Sequence, residues 1–239
     1  MSRLAAAAVL AVLLLAGCAD QATTLDSASP QPDPSGPTLS RLGEAVAGVD
    51  STRTQLLTAP AAVITGATAL DTADAASAEG ARAAARGARN AVRSAVPAVT
   101  AALEALPQQS ATYQRALAAL SEAAAPLEPA QKAALEDVVA AGKAEANAIE
   151  AFGLTARDAW PAYSALDKAG ALWLERATAG WYRTESEAAD AYTVLLRPQR
   201  AALDRARAAL RAADAERRAA TDRQRQALIA ADAALAPLR

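Results

Sequence analysis

Asp167 and Glu185 fall at the edge of the face that carries most of the chain's aromatic side chains, and two carboxylates are what acid–base hydrolysis requires. On one continuous helix their 18-residue separation spans roughly 27 Å, too far for both to act on one bond. An arginine on a neighbouring helix is the more natural partner for each, because its planar fork matches a carboxylate. Seven of the eight aromatic residues lie between Phe152 and Tyr192. At 100° per residue Trp160, Tyr163, Trp173, Trp181 and Tyr192 share one sector of a continuous helix, and Tyr182 lies off it as the surface aromatic. Inward packing against alanine-rich neighbours explains that sector most simply. The sharper reading is a solute- or lipid-binding pocket in 152–192 that uses Trp160, Trp173, Trp181 and Tyr182. Arg82, Arg86, Arg89 and Arg93, spaced four, three and four apart with no acid between them, form one stripe about 120° from the apolar face of their helix. A solvated flank accounts for them; a surface for anionic headgroups or envelope polymers is the functional alternative.

Other chemistries lack their residues. With no histidine and a single cysteine, the chain has no His-based triad and none of the usual ligands for zinc, haem or iron–sulfur groups, so no metal, no cofactor and no catalytic residue is expected. Ser164 and Ser186 have no suitable base nearby, and no glycine-rich loop cradles a phosphate. The net charge of −2 hides a gradient: 19–80 is acidic, whereas 197–225 is rich in arginine. Neither arginine segment carries interleaved aromatics, so no nucleic acid is expected as a partner. The expectation is a protein that is not an enzyme.

The single cysteine sits where it has another use. Met1-Ser2-Arg3 opens the chain with a positive charge, and the apolar run from Leu4 to Leu15 is too short to stay in a bilayer as a spanning helix. The run ends in Leu15-Ala16-Gly17-Cys18, which resembles the lipobox of bacterial lipoproteins. That resemblance implies a signal peptide at 1–17, cleavage before Cys18, a diacylglycerol thioether on its sulfur and acylation of the new amino terminus. An unpaired exported thiol is otherwise a liability, and two or three acyl chains hold a protein at a membrane where one does not. The expected location is the extracytoplasmic face of the cell membrane. The high alanine content and the preference for arginine over lysine suit a GC-rich genome, hence a Gram-positive, actinobacterial envelope. From 18 to 37 the polar residues and four prolines cannot build a core, which makes this stretch a disordered tether with a reach of roughly 20–25 Å.

The remaining stretch, 38–239, reads as one all-α domain, an elongated antiparallel bundle of long alanine-rich helices. Alanine is a strong helix former, and the β-branched and aromatic residues that strands favour are few. Apolar residues recur every three or four positions between prolines 60, 97, 107, 126, 129, 161, 198 and 237, which serve as the expected breakpoints. Pro129 falls in the first turn of one helix, Asp158 caps another that begins at Pro161, and Pro198 opens the last. Alanines at 206, 213, 220, 227 and 234 occupy successive heptad positions and predict a coiled-coil-like seam. Gly153, Gly170 and Gly180 mark bends or close helix contacts.

Overall fold

The computed structural model describes residues 36–238; the leader, Cys18 and the tether as far as residue 35 lie outside the described residues. Every regular element among the described residues is helical: α1 (Gly36–Leu56), α2 (Thr58–Ala78), α3 (Arg82–Ala123), α4 (Pro129–Thr178), α5 (Glu185–Leu196) and α6 (Arg200–Leu235), with 3-10 turns at Arg197–Gln199 and Ala236–Leu238. The chain is thus all-α, built of long helices packed together. Helix α1 begins two residues inside the stretch expected to be tether.

Three of the eight prolines expected as breakpoints lie inside helices, while Pro60, Pro126, Pro129, Pro198 and Pro237 fall at or beside helix ends. Helix α3 runs through Pro97 and Pro107, and α4 runs through Pro161, so the Asp158 cap and the separate helix expected from Pro161 do not form. An interior proline deprives the carbonyl four residues back of its donor, at a cost of about 3 kcal/mol. At Pro107 that carbonyl is Leu103, and Arg157 of α4 donates Nη2 to it at 2.5 Å. Pro129 does open α4, and Pro198 lies in the 3-10 turn that leads into α6. The turns that lead into α3 and α5 are at glycines. Gly80 has φ 72° and Gly180 φ 79°, and such left-handed residues close helices at low cost only when they have no Cβ.

Gly80 does more than turn the chain. A Cβ at Gly80 would overlap the backbone carbonyl of Glu185, the first residue of α5, whereas nothing lies within 4 Å of a Cβ at Gly180. Gly180→Ala is therefore expected to cost only the left-handed strain, about 1–2 kcal/mol. Gly80→Ala adds a backbone displacement and should cost about 2–4 kcal/mol. Urea unfolding of the two variants side by side checks this; equal losses would mean that the approach to Glu185 carries no weight.

The chain forms two compact units. The first comprises 36–54, Ala111–Ala146 and 220–238 among the described residues, around Leu42, Val49, Leu117, Leu120 and Leu135. Its α3 and α4 segments run antiparallel and approach closely at Gly142, where an added Cβ would stand 2.7 Å from Leu117 Cδ2 and 2.9 Å from Tyr113 Oη. The second unit, Gln55–Ser110 with Asn147–Ala219, packs around Val63, Leu70, Val99, Phe152, Tyr163 and Trp173. Here Leu106 fills the space left by Gly153. Ion pairs from Asp71 to Arg207 and from Asp74 to Arg200 show that α2 and α6 run antiparallel. By length and composition Leu39–Ala78 would pass as a membrane span, yet its α2 part turns Val63, Leu70 and the carboxylate of Asp74 into this core. None of the five heptad alanines of α6 is exposed, and Ala206 and Ala220 are buried, as a small-residue seam requires.

Candidate functional site

Arg89 is not on a solvated flank. The turn at Gly80 shifts the helical phase by one residue, so Ala85 faces the core while Ala84 is exposed, and the buried row continues through Arg89, Val92 and Val99. Arg89 is only 7% exposed. Its Nη1 donates to Asp167 Oδ1 at 2.7 Å and to the Asp167 carbonyl at 2.9 Å. Gly170 makes room for it, because a Cβ there would overlap Nη2. Nε and Nη2 of Arg89 have no acceptor among the described residues.

The other three arginines of the stripe differ from it and from one another. Arg82 donates Nη2 to the carbonyls of Tyr182 and Thr184 at 3.2 and 3.1 Å, and its Nε stands 3.5 Å from Glu185 Oε1. Arg86 is exposed and donates to Thr178 Oγ1 at 3.3 Å. Arg93 is exposed with no ion-pair partner among the described residues. Asp167 and Glu185 thus each meet an arginine of α3, the arrangement expected in place of an acid–base pair. Between α3 and α4 these side chains line a groove of about 880 Å³: Arg86, Arg89 and Arg93 on one wall, Asp167 and Glu175 on the other, with Val96 and Leu174 as apolar lining.

The aromatic residues separate. Trp173 is fully buried, meets Tyr192 edge-on at 5.6 Å and donates Nε1 to the Ala188 carbonyl at 2.7 Å. Trp160 is half-buried and stacks on Tyr163 at 5.8 Å. Trp181 is 67% exposed with Arg176 over its ring at 5.2 Å, whereas Tyr182 is half-buried against the core. The expected sector held Trp181 inside and Tyr182 outside. Helix α4 ends at Thr178 and the left-handed turn at Gly180 changes the direction of the chain before both residues, which reverses the two. Neither of the two described grooves is lined by Trp160, Trp173, Trp181 or Tyr182.

Two buried charge clusters were not anticipated from the sequence. In the second unit Asp74 accepts from Tyr192 Oη at 2.8 Å, Arg207 Nη2 at 2.8 Å and Arg200 Nη1 at 3.2 Å, while Arg207 also holds Asp71. Burial pushes the Asp74 carboxyl up, but the hydrogen bonds from Arg207 and Tyr192 and the charge of Arg200 outweigh it and hold the group below its ordinary 3.8. The same burial, with Asp74 beside it, drives the Tyr192 phenol well above its usual value. In the first unit Glu145 is fully buried and takes Arg53 in a two-pronged pair at 2.7 and 2.9 Å. Tyr113 Oη donates to Glu145 at 3.3 Å and accepts from Gln224 Nε2 at 3.3 Å.

The Asp74 cluster sets an acid limit. A carboxyl whose folded value lies below its unfolded one stabilises fully above the unfolded value, and this is lost as pH falls through the folded one. Stability is expected to fall below about pH 4, and Asp74→Asn should flatten that fall while lowering stability at neutral pH. Thermal melts of both proteins from pH 2 to 7 check the sign; parallel curves would remove Asp74 from the acid response.

Among the described residues no group of three or more cysteine, aspartate or glutamate side chains is placed to hold a metal ion. Comparison with protein-family models, with curated proteins and with solved structures finds no match to this chain.

Proposed function

We propose that the chain is a lipid-anchored protein of the bacterial cell envelope, held on the extracytoplasmic face of the membrane through Cys18 and acting as a non-enzymatic interaction or structural module. One observation carries the location: the sole thiol of the chain follows Leu15-Ala16-Gly17 at the end of a short apolar leader. The module half of the reading is supported by how the charges are used. Asp74 and Glu145 are each held by arginines from other helices, which makes them crosslinks of the fold.

The anchor is tested by metabolic labelling with palmitate. The wild-type chain is expected to incorporate label and to fractionate with membranes. Cys18→Ala should lose the label and leave the precursor uncleaved or release it to the medium. Unchanged labelling of Cys18→Ala, or an intact mass with the leader attached and the sulfur bare, overturns the location. The module half is tested by photo-crosslinking from exposed positions such as Ile229 and Val194 in the anchored form. A reproducible adduct with one envelope component, lost on charge reversal of the nearby surface, supports it; adducts that scale only with abundance count against it.

A further inference from the structure

The groove between α3 and α4 of the second unit combines three features that packing alone does not call for. Arg86 and Arg93 stand exposed on one wall, one helical turn on either side of the buried Arg89. Against them the other wall offers Glu175, since Asp167 is already engaged by Arg89. The remaining lining is mainly apolar, including Val96 and Leu174, with Asn90 and Thr178 as its polar members. At about 880 Å³ the groove falls in the size range of small-molecule sites. Arg89, more than nine-tenths buried at its edge, keeps two N–H-bearing nitrogens without acceptors. Both nitrogens are closed off, with Nη2 against Gly170, so Arg89 shapes the base of the wall and leaves the groove itself to Arg86 and Arg93.

We propose that this groove binds an anionic amphiphile: a phosphate or carboxylate head held between Arg86 and Arg93, with a short apolar portion along Val96 and Leu174. Arginine suits the head because it gives two parallel, charge-assisted hydrogen bonds to an oxyanion. Arg89 is a positioning residue here. Clamped by Asp167 and seated over Gly170, it keeps positive charge at the base of the wall and fixes the register of α3 against α4. Glu175 sets a limit on the ligand, since a dianionic or extended acidic group would meet it across the groove. The shared chemistry, one anionic head on an alkyl chain, occurs both in a free solute and in a bilayer lipid. The site does not depend on the anchoring reading, because it is built from side chains of the second unit alone.

The test uses the full chain mixed with neutral phosphatidylcholine nanodiscs, with the monoanionic diester hexyl methyl phosphate as the probe and nanodiscs without the chain as reference, read by phosphorus NMR line broadening. Saturable broadening is expected, unaffected by hexanol and weakened at high salt. Arg86→Gln with Arg93→Gln should weaken binding about tenfold or more. Both side chains are exposed, so helicity by circular dichroism should stay at the wild-type value. Ala171→Trp, an exposed substitution that fills the groove, should abolish binding by a route independent of charge. Nanodiscs containing phosphatidylglycerol separate the sources: displacement of the probe assigns a bilayer headgroup, and its persistence assigns a free anion. Absence of saturable broadening in the wild type, or equal affinity in the arginine variant, overturns the proposal. Neither result bears on palmitate labelling of Cys18, so the two readings fail separately.

Discussion

Glu145→Ala is expected to lower the unfolding free energy of the first unit by about 3–5 kcal/mol, among the largest effects of any single substitution in the chain. The reason is asymmetry. The carboxylate is fully buried, so water does not satisfy it, and it depends on Arg53 and Tyr113. Removing it leaves the Arg53 guanidinium, only 16% exposed, without the pair that holds its charge. Burial works against the Arg53 charge and the Glu145 carboxylate more than offsets it, keeping the arginine above its ordinary value. The partner matters more than the charge: Arg53→Met combined with Glu145→Leu puts matched apolar volume in the same place and should recover most or all of the loss. Tyr113 keeps its bond from Gln224 in that double variant. Hydrogen exchange across 111–146 reads the unit directly. A loss below about 1 kcal/mol for Glu145→Ala, or a double variant no better than the single one, contradicts the account.

The buried clusters leave a trace in the amino-acid sequence, because each places a charge in phase with an apolar row. In α4 the buried row steps by three and four through Val138, Gly142, Glu145, Ile149, Phe152, Ala156 and Ala159 and on to Tyr163 and Trp173 without a change of phase at Pro161. Glu145 lies in that row, as Arg89 lies in the row of α3, Asp74 in that of α2 and Gln224 in that of α6. A charged residue in phase with an apolar row has to find an opposite charge, so the existence of a pair is readable. Which pair is not: Arg53 and Glu145 are 92 residues apart, and Arg207 and Asp74 are 133 apart. The all-α class and the alanine seam follow from composition and period, which are local properties. The breakpoints do so only in part, because the cost of an interior proline can be offset by a distant donor, as Arg157 offsets it at Leu103, and two further turns fall at left-handed glycines. The single turn at Gly180 is enough to exchange the surroundings of Trp181 and Tyr182.

Trp173→Ala should cost about 3–5 kcal/mol in the second unit, and its effect should not be uniform. Helix α5 has 12 residues, too few to hold its shape alone, and its capping by Thr184, which accepts from the Glu187 N–H at 3.1 Å, adds only about 1 kcal/mol. What fixes it is docking: the indole of Trp173 lies edge-on to Tyr192 and bonds the Ala188 carbonyl, and Tyr192 reaches Asp74 of α2. Without the indole, α5 loses a packed ring and a hydrogen bond together, so amide exchange in 185–196 should accelerate more than in α3 or α4. Trp173→Phe keeps much of the volume and gives up the N–H donor, so about 1–2 kcal/mol is expected and a smaller rise in exchange. The loosening should also reach the acid response. With Tyr192 no longer held in place, Asp74 loses one of the hydrogen bonds that depress its carboxyl, and the acid limb of Trp173→Ala should move toward that of Asp74→Asn. Were global stability to fall while 185–196 exchanged at the wild-type rate relative to the rest of the unit, Trp173 would be filling volume only, and the link from indole through Tyr192 to Asp74 would carry no energy.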